Sequence, residues 1–234
     1  LQHRLIGLIT DDDGAVTGVT VDTPHGEQTF EGNNVVLACG GYAAGPDLWN
    51  DLNPEIPLCS HCNPYSKGDG IVAARALGAQ IDGKEKFLCT FAGWLEDPND
   101  PTSGDFLALS PKVRNVWEIF VDVNGKRFMK EDHQSIDYRE RNLLKQPGMR
   151  MNVVFDEGIR QNASPITLLD PETFKEKLGS HPNFVKADTL DDLAAELEVP
   201  ANNLKRTVED YNLAVDSKTD KDFDKFFLIR KIEK

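Results

Sequence analysis

Four short stretches of this sequence combine residue types at spacings that could do chemistry. In VVLACGGYA (35–43) an apolar run ends in Gly40 and Gly41, where a ligand or another backbone could approach closely. GDGIVA (68–73) matches the letters of the G-x-G-x-x-G/A dinucleotide fingerprint. A helix N-terminus there would offer bare N–H groups to an anion or to the polar edge of a cofactor. The fingerprint must follow a strand, and NPYSK (63–67) does not read as one, so a plain capped surface helix is the competing reading. CSHC (59–62) has the C-x-x-C spacing of zinc ribbons and redox pairs. No second pair follows, and two thiolates leave a tetrahedral site half filled, so no metal is expected. In GKRFMKEDHQS (125–135) Phe128 and Met129 interrupt a charged run, which predicts a partly buried Arg127–Glu131 ion pair. The chain holds no G-x-S-x-G elbow and no H-E-x-x-H helix.

The elements that must position these stretches can be read from period and punctuation. Residues 5–9, 16–21 and 28–30 read as three short strands, with Asp-Gly and His-Gly turns between them, giving an antiparallel meander. The run at 35–39 then reads as a strand buried on both faces, as in a parallel sheet. A helix is expected from about Gly70, with Ser66 or Asp69 as its cap and Gly78 at its end. WEIFVDVNGKRF (117–128) predicts a hairpin around Val-Asn-Gly, and MNVVFD (151–156) another strand. Thr189 and Asp192 form a capping box ahead of LAAEL, and a helix follows Pro200 with an apolar stripe at Leu204, Val208, Tyr211 and Val215.

The 234 residues are 39% hydrophobic and 28% charged, enough for one large or two modest domains. Acidic residues outnumber basic ones 39 to 26, for a net charge of −13, so phosphate backbones would be repelled and no nucleic-acid partner is expected. No apolar run is long enough to cross a bilayer. Four cysteines in a chain of this length suggest reduced thiols and a cytoplasmic home.

Taken together, several of these stretches resemble the flavoprotein superfamily of fumarate reductases and succinate dehydrogenases, and also ketosteroid dehydrogenases. VVLACGGYAAGPDL is similar to the family's "ATGGF" strand, and GDGIVAARALGAQI to its "GDG…A…GA" helix. VNGKRFMKED resembles the "GKRFxNE" hairpin of the capping domain, and the stretch from DTLDDLAAEL through TVEDYN resembles the helices that close it. The resemblance implies FAD as cofactor and a fold in two parts. The first is an α/β piece of a flavin-binding, Rossmann-like domain with a β-meander (1–83). An α+β capping, catalytic domain (84–234) follows. Ala38, Gly40 and Gly41 would approach the flavin, with Asp69 and Gly70 on its other flank. The family's opening phosphate fingerprint and closing flavin segment have no counterpart in this sequence, so an internal fragment is expected, inactive and without stoichiometric FAD when alone.

Departures from the family pattern bear on the reaction. The proton-donating arginine of fumarate reductases, four residues after the "NE" glutamate, falls on Ser135; ketosteroid dehydrogenases carry tyrosine there. The relay arginine falls on Arg114, but the relay glutamate falls on Pro111, and the substrate-binding histidine aligns approximately with Cys89. Fold and cofactor therefore carry over, and fumarate chemistry does not. The expected whole protein is an FAD-dependent oxidoreductase acting on a C–C bond beside a carbonyl or carboxylate. Its partner would be a small carboxylate or ketone. Arg114 is the candidate to position that group, and His133 and Ser135 are candidates to face the substrate. The alternative is a stand-alone, non-catalytic interaction module that keeps the capping fold.

Overall fold

Tight turns set the register of the first thirty residues. The computed structural model of the chain describes residues 2–54, 56, 58, 62–83, 91–97, 99–100 and 103–233. β1 (Arg4–Thr10), β2 (Val16–Thr23) and β3 (Gly26–Glu31) form the expected antiparallel sheet in the order β1-β2-β3. The Asp11 carboxylate closes the first turn by accepting from the N–H groups of Asp13 and Ala15. The turn after β2 is held by the Thr23 hydroxyl, which donates to the Gly26 carbonyl.

The chain divides into two compact units, the first comprising residues 1–87 and 99–104 and the second residues 88–98 and 105–234. Besides the meander, the first unit contains α1 (Pro46–Leu52) and α2 (Asp69–Ala76). The run at 35–39 is a correction to the sequence reading: it pairs with no strand among the described residues, and Val36 is 86% exposed. A buried parallel strand needs a neighbour on each edge to satisfy its N–H and C=O groups. Here Leu37 and Cys39 approach Gly70 of α2 but stay exposed. The cap of α2 also differs. Gly68 takes the N-cap position with φ of 83° and no side chain caps the helix, because the Asp69 carboxylate is taken by Arg4 at 2.9 Å. Gly78 follows the helix with positive φ, as expected.

β4 (Gly93–Leu95) and β5 (Gly104–Phe106) form one two-stranded sheet, and in the second unit β6 (Ile119–Val121) pairs with β7 (Asn152–Val154) in another. The predicted hairpin around Val-Asn-Gly survives only as a turn and a single Val121–Arg127 bridge. Asp122 closes that turn by accepting from the N–H groups of Asn124 and Lys126. The return arm then leaves the ladder, because Met129 and Glu131 are drawn into full burial. α3 (Ile136–Leu144), α4 (Glu157–Asn162) and α5 (Pro171–Lys177) also belong to this unit. α6 (Leu190–Glu196) is capped by Thr189, whose hydroxyl accepts from the N–H of Asp192 as the capping box requires. α7 (Ala201–Ser217) buries Leu204, Val208, Tyr211 and Val215, the predicted stripe, against Ile119, Val121 and Val154. Gly125 docks the β6 turn on this helix. It has φ of 70°, and a Cβ there would lie 3.1 Å from the Leu204 amide nitrogen, so both its conformation and its contact call for glycine. Among the described residues no helix is long and apolar enough to cross a membrane.

Candidate functional site

In the first unit, residues 38–41 lie on the surface, and Gly40 and Gly41 offer bare backbone there. Gly40 has φ of 88°, and a Cβ on Gly41 would meet nothing within 4 Å. A flat ring system could therefore rest on this segment without a side chain in the way. Gly70 has a different reason to be glycine: a Cβ there would lie 2.5 Å from the Cys39 sulfur. Its small size serves the close packing of α2 on the chain before it. Asp69 holds Arg4 through both carboxylate oxygens. Ala38, Gly40 and Gly41 thus form an open face, whereas Asp69 and Gly70 are engaged within the protein.

Arg114, in the second unit, is buried and satisfied. Its guanidinium pairs bidentately with Glu118, four residues on, and donates through Nε and Nη2 to the Ser164 carbonyl at 3.2 and 2.9 Å. Both side chains are almost fully enclosed, at 2% and 0% exposure, so the charge of Arg114 is balanced inside the fold.

The predicted Arg127–Glu131 pair forms, and it is larger than the sequence suggested. Arg127 donates to both Glu131 oxygens at 2.7 Å and to Asp220 at 2.7 Å, with the Phe223 ring 4.8 Å from its guanidinium carbon. Burial pulls the Arg127 pKa down, but hydrogen bonds and charge from Glu131 and Asp220 outweigh this and raise it. Burial pushes the Asp220 carboxyl up, yet Arg127 and two backbone N–H groups hold it below the usual carboxylate range. Lys225 is fully buried, its ammonium donating to the Glu118 carbonyl 3.7 Å from Glu131, and burial lowers its pKa. Desolvation raises the Tyr211 phenol, which donates to the Trp117 carbonyl at 2.9 Å. Asp132 accepts from the N–H groups of Phe226 and Phe227. This network ties the return arm after β6 to the segment after α7.

His133 and Ser135 are brought together at the start of α3. Ser135 is the N-cap and accepts from the Tyr138 N–H at 3.3 Å. Its own N–H donates to His133 Nδ1 at 3.1 Å, and the imidazole stacks on Tyr138 with centroids 4.0 Å apart. With Nδ1 accepting, the neutral ring carries its proton on Nε2. Among the described residues no hydrogen bond or ion pair joins Arg114 to either. One turn beyond Ser135 on the same helix, Arg139 is only 2% exposed and donates to the Leu109 carbonyl at 3.0 Å.

Sequence reading missed Glu118, Asp220, Lys225 and Arg139. The i,i+4 spacing of Arg114 and Glu118 was a usable signal; Asp220 and Lys225 meet their partners only through the fold. The aligned Cys89 and most of the CSHC motif lie outside the described residues. A cleft of about 1070 Å³ beside Trp94, Phe155, Phe174 and Phe184 contains none of the expected site residues; its lining mixes these aromatic rings with charged side chains, Asp156, Glu157, Arg160 and Lys186 among them.

A family model described as an FAD binding domain matches residues 1–231. The chain is 28% identical to "Probable fumarate reductase Ifc3" of Shewanella frigidimarina, over 95% of this chain and 35% of that protein. It is 30% identical to 4-oxocyclohexanecarboxylate 2-dehydrogenase of Sinomonas cyclohexanicum, over 94% of this chain and 38% of that protein. The structure of 3-ketosteroid delta1-dehydrogenase from Sterolibacterium denitrificans superposes with a TM-score of 0.73 at 25% identity, covering 94% of this chain and 40% of that one. The chain thus spans well under half of each of these proteins.

Proposed function

Since the chain belongs to the FAD binding domain family, we propose that it is part of an FAD-dependent oxidoreductase acting on a carbon–carbon bond next to a carbonyl or carboxylate. The family match over residues 1–231 carries the reading. The names of its relatives agree with it, since fumarate, an oxocyclohexanecarboxylate and a 3-ketosteroid each bear a carbonyl or carboxylate. Such a group makes the neighbouring C–H acidic enough for a side chain to move its proton.

FAD, when bound, supplies or accepts the hydride of the C–C bond change. The bare backbone at Gly40 and Gly41, with Ala38 before it, is the part of this chain that would support the flavin. Asp69 and Gly70 would serve indirectly, by fixing α2 behind that segment. In the second unit His133 is the candidate proton carrier at the adjacent carbon, because its Nδ1 is already an acceptor and Nε2 keeps the mobile proton. Ser135 orients that ring through its backbone N–H. Arg114, balanced by Glu118, would stiffen the approach to β6 rather than hold substrate. The serine hydroxyl at position 135 is too weak an acid to replace an arginine donor, which leaves the proton step to His133.

The test is anaerobic. The full-length flavoprotein is reduced, an unsaturated acid or ketone is added, and flavin absorbance is followed. Reoxidation with formation of the saturated product supports the reading. A flavin that stays reduced with every activated alkene, yet reacts with compounds lacking one, contradicts it.

A further inference from the structure

Three arginines are buried in the second unit, and their surroundings differ. Arg114 is matched by Glu118, and Arg127 by Glu131 and Asp220, in each case through at least two hydrogen bonds to carboxylate oxygens. Arg139 has no such match. Among the described residues it makes one side-chain hydrogen bond, from Nη1 to the Leu109 carbonyl, and its buried Nε has no partner. Glu140 helps its charge electrostatically, but burial outweighs that help and its pKa is lowered.

The surroundings nevertheless hold the side chain in place. The guanidinium carbon stands 4.9 Å from the centre of the Phe91 ring, so the group is stacked on one face. Phe91 and Leu109 belong to the same core cluster as Val116, Phe120 and Met129, against which Ile136, Tyr138 and Leu143 of α3 are packed. With Nη1 fixed by Leu109, Nε has no partner and Nη2 makes no hydrogen bond among the described residues, and the Nε–Nη2 edge is one of the two geometries by which guanidinium binds a carboxylate bidentately. A buried, pre-oriented cation with no carboxylate hydrogen-bonded to it among the described residues is costly to keep unless an anion arrives to complete it.

We propose that Arg139 is the substrate anchor, taking the carboxylate of a small unsaturated or saturated monocarboxylic acid through its Nε–Nη2 edge. This rests on the oxidoreductase reading above and narrows its substrate class from carbonyl or carboxylate to carboxylate. The anchor lies one helical turn from Ser135, on the helix whose start also carries His133. A carboxylate at Arg139 would therefore belong to the same helix end as the candidate proton carrier.

The experiment measures binding to the full-length protein with oxidised flavin, by calorimetry, using crotonate and its neutral counterpart crotonamide. Wild type should bind crotonate at least tenfold more tightly than crotonamide. Arg139→Gln should lose that preference and leave crotonamide binding unchanged, while Arg139→Lys should restore part of it. If Arg139→Gln does not fold, Arg139→Lys alone decides: its crotonate Kd should rise severalfold and its crotonamide Kd should not. Equal weakening of both probes, or no preference for crotonate in wild type, overturns the anchor. Crotonate binding that needs Arg139 but never reoxidises reduced flavin leaves the anchor and removes the redox reading. Reoxidation by an unsaturated ketone with no preference for crotonate removes the anchor and leaves the redox reading.

Discussion

Arg127 and Asp220, 93 residues apart in sequence, meet at 2.7 Å with only 6% and 2% of their side chains exposed. The pair joins the return arm after β6 to the segment that follows α7. Replacing Asp220 with Asn leaves Arg127 with Glu131 but removes one charge from a balanced buried set. Breaking a buried pair in this way typically costs about 3–5 kcal/mol. Urea unfolding of Asp220→Asn should show a loss of that order with an unchanged m-value. A loss below about 1 kcal/mol, the range of surface pairs, would contradict the structural weight given to this contact.

The same pair sets a pH dependence. Asp220 titrates below its ordinary value in the folded state because Arg127 and two backbone N–H groups outweigh the effect of burial. A depressed carboxyl pKa means the unfolded chain binds the proton more readily. The stability it contributes is therefore complete above about pH 4, the ordinary carboxylate value, and is lost as pH falls through the lower folded value. Unfolding midpoints across this range should fall more steeply for wild type than for Asp220→Asn. Parallel curves would refute the assignment.

Ser135 and His133 should separate when mutated, although a hydrogen bond links them. Ser135 caps α3, so Ser135→Ala should cost about 1 kcal/mol of stability and leave the proton step largely intact. His133→Ala should keep the fold and slow turnover by about 10²–10⁴-fold. Melting curves and kcat profiles measured side by side distinguish the two. A Ser135→Ala variant that loses as much turnover as His133→Ala would place the hydroxyl, not the ring, at the chemistry.

Much of the architecture was legible in the sequence because local chemistry specified it. The meander was written in its turns, α6 in the Thr189 capping box, and α7 in the spacing of Leu204, Val208, Tyr211 and Val215. Arg127–Glu131 was legible because apolar residues interrupt the charged run around it. What was not legible depends on long-range partners. An apolar run such as 35–39 looks the same whether or not strands flank it, and only pairing decides. Asp220 and Lys225 sit in an acidic, lysine-bearing tail that reads as solvated, yet the fold carries both into the core. Arg139 looked like one charge among several on a helix rich in them. Its significance comes from what surrounds it: a ring, a carbonyl and no carboxylate hydrogen-bonded to it.

In the proposed reaction a C–C bond next to an activating group changes order, with one hydrogen passing through flavin and the other through a side chain. The most direct measurement is the reduction of an unsaturated monocarboxylic acid by the full-length flavoprotein in D2O, with the product examined by mass spectrometry and NMR. Both the reduced flavin and the His133 proton exchange with solvent, so the expected product is a saturated acid carrying one deuterium on each of the two adjacent carbons. A product reduced at the carboxyl group, or labelled at only one of the two carbons, would contradict it.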